Sequence, residues 1–281
     1  MEIREISVDE VSKAVASLCI KANTELGDDV VEAFRSARTR EESSIGREIL
    51  KLTVENARIA QEKRLPICQD TGLAVVFMDV GRNVHFSGGE LAEAVDQGVS
   101  DGYSRAHLRA SSLDAVTREN TADNTPAVLH VRIVPGSEVR LAVMTKGFGG
   151  ENFSRIKLFP PAAGLDGAKN YVVETVRSAG SMPCPPVIVG VCLGGTFESA
   201  AIAAKRSLLR PLSEQSPDPE LAAIEKELLE RINALGIGPQ GLGGKTTALA
   251  VHVVKEHTHI GSLPVAVNLQ CHCHRHAETT L

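Results

Sequence analysis

A thiol and a carboxylate stand close together in the stretch Pro66–Gly72, which reads PICQDTG. Pro66 restricts its own backbone and Gly72 allows a sharp turn, so we predict a short, stiff connection between a helix and a buried strand. Such a connection would present Cys68 and Asp70 side by side, a pair able to bind a metal or move a proton. The alternative is an ordinary polar turn, because surface loops are polar in any case.

Two more cysteines also stand at the ends of apolar runs. Cys192 follows an apolar run and precedes Gly194-Gly195 and a helical pattern, where the positive end of a helix dipole would favour a thiolate. Cys271 directly follows the apolar run Pro264–Leu269. Because Cys68, Cys192 and Cys271 are far apart in sequence, only the tertiary fold could bring them to one site. Spacing and composition permit such a cluster of thiols but do not establish it.

The other cysteines suggest less chemistry. Cys19 lies on an apolar helix face and reads as a core thiol, and Cys184 stands between prolines and reads as structural. Cys273 belongs to a tail that reads CHCHRH, so a zinc site is the rival interpretation. Structural zinc sites favour two close pairs of ligands, and no second pair with that spacing is present in the sequence.

Size and charge exclude several classes of protein. With 281 residues, 43% of them hydrophobic, the chain should form either one large domain or two packed subdomains with a linker near 213–219. The net charge of -5 and the lack of a basic stripe argue against nucleic acid as a partner. The charged N-terminus, Met1–Glu5, has no apolar segment, and no run reaches transmembrane length. We therefore expect a cytoplasmic protein that does not contact a membrane.

Periodicity predicts an α+β fold, in which helices are mixed with small antiparallel or mixed sheets. A capping box at Ser7–Glu10 should open the first helix, and Pro135-Gly136 should join two strands as a hairpin. Further helices are expected at Asp29–Ala37, from a cap at Thr39–Glu42 onward, and at Leu91–Tyr103, Ala168–Ala179, Phe197–Leu209 and Glu220–Leu235. Strands are expected at Leu73–Val80, Val128–Val134, Glu138–Thr145, Val187–Val191, Thr247–Val254 and Pro264–Leu269.

Two glycine-rich stretches could hold anions. Lys146–Ser154 combines glycines with a lysine directly after a predicted strand, which favours an anion site over a flexible loop. Gly238–Thr247 looks at first like a phosphate loop, but Pro239 stands where that motif needs glycine and the next segment is strand-like. For this second stretch we expect an anion-holding or packing loop rather than a nucleotide site.

Four motifs together resemble the class I, iron–sulfur fumarate hydratase family, of which L(+)-tartrate dehydratase is a close relative. They are PICQDTG at 66–72, VCLGGTFE at 191–198, GLGGKTTAL at 241–249 and HIGSLPVAVNLQC at 259–271. The resemblance covers nearly the whole chain. It is to the alpha subunit of the two-subunit form, equivalent to the N-terminal domain of the fused enzymes, and it implies the fold of that domain.

The resemblance also implies a site. Cys68, Cys192 and Cys271 would each bind one iron of a [4Fe-4S] cluster, whose fourth iron lacks a protein ligand and takes the substrate. Residues matching the family's substrate contacts are Gln69, Asp70, Arg109 and His259 by side chain and Gly149 by backbone, with Asp70 as general acid/base. Phe148 departs from the family's usual glycine, and spacing leaves Cys273 open as the third ligand, although Cys271 continues the matched strand.

The implied activity is that of a hydro-lyase converting (S)-malate reversibly to fumarate and water. The alternative within the family is dehydration of L(+)-tartrate to oxaloacetate, and the alternative from another class is a zinc-binding interaction protein without catalysis. A separate beta subunit would supply the rest of the active site, in an assembly of two alpha–beta pairs acting on a small dicarboxylate.

Overall fold

The computed structural model describes residues 3–281, so Met1 and Glu2 of the charged N-terminus lie outside it. The chain forms two compact units built from interleaved segments. The first unit comprises residues 3–27, Ala57–Gly147 and Arg275–Leu281, and the second comprises Asp28–Asn56 and Phe148–His274. The stretch 213–219, considered above as a linker, lies inside the second unit. Within residues 3–281 no helix is long and apolar enough to cross a membrane.

The first unit packs two helices on a four-stranded sheet. Its elements are β1 (Arg4–Ser7), α1 (Val8–Thr24), β2 (Leu73–Gly81), β3 (Val84–Ser87), α4 (Leu91–Arg105), β4 (Val128–Val134), β5 (Val139–Lys146) and β10 (His276–Thr280). Ser7 caps α1 and Glu10 completes the predicted capping box. Gly98 and Gly102 let α4 lie against α1, since a Cβ on Gly98 would come 2.5 Å from the Ser12 carbonyl oxygen.

The sheet of the first unit corrects the predicted hairpin. Its strand order is β10-β5-β2-β4, so β2 lies between the two strands that Pro135-Gly136 connects. β2 pairs parallel to β4 and antiparallel to β5. The apolar strand β2 takes a central position because both of its faces can then be buried. Val76, Met78 and Leu141 of this sheet pack with α1 in one core.

The second unit carries helices on both faces of another mixed sheet. Its elements are α2 (Asp28–Arg40), α5 (Phe148–Glu151), β6 (Arg155–Phe159), α6 (Gly164–Ala179), β7 (Val187–Leu193), α7 (Phe197–Ser207), α8 (Pro219–Asn233), β8 (Ala248–Lys255) and β9 (Leu263–Gln270). The strand order is β6-β9-β7-β8, with only β7 and β8 parallel. α6 and α8 cover one face and α7 the other.

The observed elements confirm the predicted α+β class. The remaining helix, α3 (Ser44–Lys63), begins in the second unit and ends in the first. The cap predicted at Thr39–Glu42 is wrong, because α2 continues to Arg40 and Ser43 accepts a hydrogen bond from the Gly46 N–H at the start of α3. Predicted strand positions agree with the structure to within a residue or two.

Candidate active site

In the first unit, the turn 66–72 connects α3 to β2 as predicted. Cys68 and Asp70 are half-buried, and Gln69 between them is exposed. The Gly72 N–H donates to Asp70 Oδ1 at 3.0 Å. Gly72 has φ +74°, and a Cβ at this position would lie 2.7 Å from the Lys146 backbone. The turn is therefore stiff, and it holds one oxygen of the Asp70 carboxylate in place.

Arg109 lies next to this turn. The buried Thr71 hydroxyl donates to the Arg109 carbonyl oxygen at 2.7 Å, and the Arg109 side chain is exposed. The Tyr103 hydroxyl lies 2.8 Å from the Thr71 carbonyl oxygen and 2.9 Å from that of Gly72. Burial raises the pKa of Tyr103 well above its ordinary value, so its hydroxyl stays protonated and donates. The first unit thus brings Gln69, Asp70 and Arg109 together.

The stretch after β5 is packed rather than open. Lys146 ends the strand and is 1% exposed, and a Cβ on Gly147 would lie 3.1 Å from Asp70 Oδ2. In the second unit, Phe148–Glu151 forms the single turn α5, in which a Cβ on Gly149 would lie 3.3 Å from the Met182 carbonyl oxygen. The anion site predicted for this stretch stays a prediction.

In the second unit, Cys184 and Cys271 lie at the same end of the sheet. Cys184 precedes β7, Cys271 follows β9, and Ile188 pairs with Gln270 in the antiparallel ladder. The His272 N–H donates to the Cys184 carbonyl oxygen at 3.3 Å, and His272 Nδ1 lies 3.0 Å from the same atom. His272 therefore fixes the backbone of Cys184 beside that of Cys271.

These residues offer soft metal ligands. Ligand atoms of Cys271, His272 and Cys273 all lie within 4.8 Å of one another. Cys184 is exposed and Cys271 half-buried, whereas Cys273 is buried. Cys184 also adopts the left-handed conformation with φ +52°, which is unusual for a residue other than glycine and is found at functional sites. The donor set suits iron–sulfur or zinc chemistry, since both use thiolates.

Cys192 lies at the opposite end of the same sheet. It pairs with Ala266, five residues before Cys271, which corresponds to about 17 Å along an extended strand. The structure therefore does not bring Cys192 and Cys271 together, and these two thiols cannot bind one compact cluster within this chain. Cys192 is part of β7 rather than of a helix start, and it packs against Ala200 and Ala204 of α7. Burial, with a smaller effect of Glu256, raises its pKa to about 12, as expected for a core thiol.

His259 is also remote from Cys271. It lies in the loop between β8 and β9, where its Nδ1 accepts a hydrogen bond from the Gly261 N–H at 3.1 Å. The whole of β9 separates it from Cys271, roughly 27 Å of extended chain. The expectation that His259 serves the same site as Cys271 is therefore not met within this chain.

The second glycine-rich loop, Gly238–Thr247, binds a carboxylate side chain of the same protein. The N–H groups of Lys245 and Thr246 donate to the Glu41 carboxylate at 2.9 and 2.8 Å. The N–H groups of Glu42 and Ser43 donate to Glu41 Oε1, both at 3.0 Å. The expectation of an anion-holding loop is confirmed, with Glu41 as the anion. Glu41 lies about 200 residues away in sequence, and no local signal indicates its role.

Glu41 should make the chain sensitive to acid. Burial alone would raise its pKa, but the backbone donors outweigh burial and lower it to about 2. Because the folded pKa lies below the unfolded value, the stabilisation is complete above about pH 4.5 and is lost as the pH falls toward 2. We expect Glu41→Gln to lower the free energy of unfolding by about 2–3 kcal/mol at pH 7.

Urea denaturation at pH 7 and pH 3 measures this effect. The difference in free energy of unfolding between wild type and Glu41→Gln should be smaller at pH 3 than at pH 7 by about 2 kcal/mol. Glu42→Gln is the matched control, because Glu42 is exposed and its carboxylate pairs with the exposed Lys245 side chain. It should change stability by less than about 0.5 kcal/mol. An equal loss at both pH values for Glu41→Gln would contradict the role given to its charge.

Comparison with known proteins identifies the family. The sequence pattern of the family described as fumarate hydratase (Fumerase) matches residues 12–280. The chain belongs to the fumarate hydratase family. It is therefore a hydro-lyase, as the four motifs implied.

Named relatives are similar to this member of the fumarate hydratase family over nearly their full length. A protein of Methanocaldococcus jannaschii, provisionally named L(+)-tartrate dehydratase subunit alpha, is 39% identical over 274 residues, covering 95% of this chain and 96% of the relative. The L(+)-tartrate dehydratase subunit alpha of Escherichia coli K12 is 32% identical over 276 residues, covering 97% and 91%. Both relatives are thus named for the dehydration of L(+)-tartrate, the alternative activity considered above.

Proposed function

We propose that this chain is the cytoplasmic alpha subunit of a [4Fe-4S] hydro-lyase that interconverts (S)-malate and fumarate. The observation that carries the proposal is the pair of accessible thiols, Cys184 and Cys271, fixed at one end of a sheet by His272 in a member of this family. The family resemblance adds the turn with Cys68 and Asp70, which carries a third accessible thiol and a carboxylate.

The proposed cluster ligands are Cys68, Cys184 and Cys271. Cys184 replaces Cys192, because Cys192 is buried in the core about 17 Å along the sheet from Cys271. Three thiolates leave one iron of a [4Fe-4S] cluster without a protein ligand. When bound, such an iron supplies a Lewis acid that makes the substrate hydroxyl a better leaving group.

The resemblance assigns the remaining steps to Gln69, Asp70, Arg109 and Gly149. Asp70 would move the proton at the hydroxyl end, with its carboxylate oriented by the Gly72 N–H. Arg109 suits one substrate carboxylate through its two-pronged guanidinium, and Gln69 and the Gly149 N–H offer further donors. Such donors stabilise the carboxylate as it gains negative charge when the neighbouring C–H proton leaves. His259 is not part of this proposed set, because the whole of β9 separates it from Cys271.

L(+)-tartrate is the second candidate substrate, favoured by the names of the two relatives described above. Tartrate is also a 2-hydroxy dicarboxylate, so its dehydration needs the same groups. The test is to co-express the chain anaerobically with its beta subunit and to assay malate, fumarate and tartrate side by side. We expect kcat/KM for malate to exceed that for tartrate by at least about tenfold, a difference of about 1.4 kcal/mol. The reverse preference would establish the second candidate instead.

The same preparation tests the need for a partner. Relatives named as alpha subunits and the resemblance to the two-subunit form support a site completed by a beta subunit, in an assembly of two alpha–beta pairs. We expect the isolated chain to have less than about 1% of the turnover of the complex, because charged groups of the partner that contact the substrate are missing. Addition of the beta subunit should restore activity, and full activity of the chain alone would contradict the proposal.

A further inference from the structure

A buried arginine lies behind the turn 66–72 in the first unit. Arg275 is only 1% exposed. Its Nη1 donates to Asn23 Oδ1 at 3.2 Å, and its carbonyl oxygen accepts from the Thr145 N–H at 3.1 Å. Asn23 belongs to α1 and Thr145 to β5, so the arginine is held from two elements of the same unit.

Arg275 and Asp70 face each other across Gly147. A Cβ built on Gly147 would lie 3.1 Å from Arg275 Nη2 and 3.1 Å from Asp70 Oδ2. The two charged atoms are therefore separated by at most twice that distance. The other carboxylate oxygen accepts from the Gly72 N–H. One side of Asp70 is thus held by the turn, and the other side faces a buried cation.

Asn23 extends this arrangement toward the proposed cluster ligand. Its side chain is completely buried, and its backbone carbonyl oxygen accepts from the Ile67 N–H, one residue before Cys68, at 2.9 Å. Its amide also donates to the Cys19 carbonyl oxygen at 3.0 Å. The residue that fixes the guanidinium therefore also fixes the start of the turn. A buried guanidinium is costly unless negative groups and hydrogen bonds compensate it, which gives its placement beside a carboxylate a physical reason.

We propose that Arg275 is a positioning residue whose buried charge, fixed by Asn23 and lying across Gly147 from Asp70, keeps the Asp70 carboxylate in the orientation needed for proton transfer. Being buried, it acts through Asp70 rather than on the substrate. The inference rests on the proposed function, in which Asp70 moves the proton. Sequence position gives no hint of this role, because Arg275 lies within the cysteine-rich tail, about 200 residues after Asp70.

The first test replaces Arg275 in the complex with the beta subunit. Arg275→Lys keeps a charge but loses the planar guanidinium that Asn23 fixes across Gly147 from Asp70, so kcat per bound cluster should fall about tenfold while KM changes less than about twofold. Cluster content and Tm should stay near wild type. Arg132→Lys is the matched control, because Arg132 also pairs with an aspartate, Asp79, but is exposed at the edge of the sheet. Its turnover should equal that of wild type, and an unchanged kcat in Arg275→Lys would overturn the proposal.

A double-mutant cycle distinguishes positioning from a merely structural role. In an Asp70→Asn background, Arg275→Lys should lower the residual kcat by less than about twofold, because the group it positions is gone. The same tenfold loss in both backgrounds would overturn the inference. Wild-type turnover in Asp70→Asn alone would instead refute the proposed role of Asp70, so the two failures are distinguishable. If Arg275→Lys does not fold, Asn23→Ser, which removes the acceptor but keeps the arginine, should show the same dependence on Asp70.

Discussion

Cys184→Ala should yield a complex without an iron–sulfur cluster and with turnover reduced by more than about 10³-fold. The loss follows because three thiolates are the minimum set proposed here, and a bound metal contributes several kcal/mol to the stabilisation of charge in the transition state. The free energy of unfolding of the chain should change little, since Cys184 is exposed. Iron and sulfide analysis after anaerobic purification measures the loss of the cluster. An assay of malate dehydration measures the loss of turnover.

Cys192→Ala is the matched control for this experiment. Cys192 is buried against α7, so its replacement leaves a small cavity and should cost about 1 kcal/mol of stability. Cluster content and turnover per cluster should remain those of wild type. If Cys192→Ala lost the cluster while Cys184→Ala kept it, the assignment based on sequence motifs would be right and the one based on strand register wrong.

Asp70→Asn should keep the cluster and lower kcat by about 10²–10⁴-fold. The amide oxygen can still accept from the Gly72 N–H, so the turn is preserved, but an amide cannot transfer the proton. Steady-state kinetics normalised to bound iron gives the measurement. Asp79→Asn serves as control, since Asp79 is a largely buried aspartate of the same unit that pairs with Arg132. Near-normal turnover of Asp70→Asn in the assembled complex would remove Asp70 from the mechanism.

Local features of the fold could be predicted because they depend on neighbouring residues. The capping box at Ser7, the apolar run of β2 and the stiff turn at 66–72 all lie within short windows and agree with the structure. Pairing between distant strands cannot be predicted from such a short stretch of sequence. β4 and β5 are consecutive, which suggests a hairpin, yet β2 is inserted between them.

The same contrast between local patterns and long-range pairing explains which cysteines the sequence points to. Proximity to glycines and a helix start made Cys192 look functional, but in the structure it lies within β7 and its side chain faces the core. Prolines flank Cys184, a local pattern that indicates a structural residue. Only the antiparallel register of β7 and β9 puts it beside Cys271. No local pattern indicates the roles of Glu41 and Arg275, because each contacts residues more than 120 positions away.

The most direct test of the central claim is iron and acid-labile sulfide analysis of the anaerobically purified alpha–beta complex, with electron paramagnetic resonance of the dithionite-reduced complex before and after addition of malate. We predict about four irons and four sulfides per alpha chain and a spectrum that changes when malate is added, as expected for a cluster with one iron open to substrate. A colourless protein that contains zinc and no sulfide would contradict the account and favour a zinc site in the tail Cys271–His276.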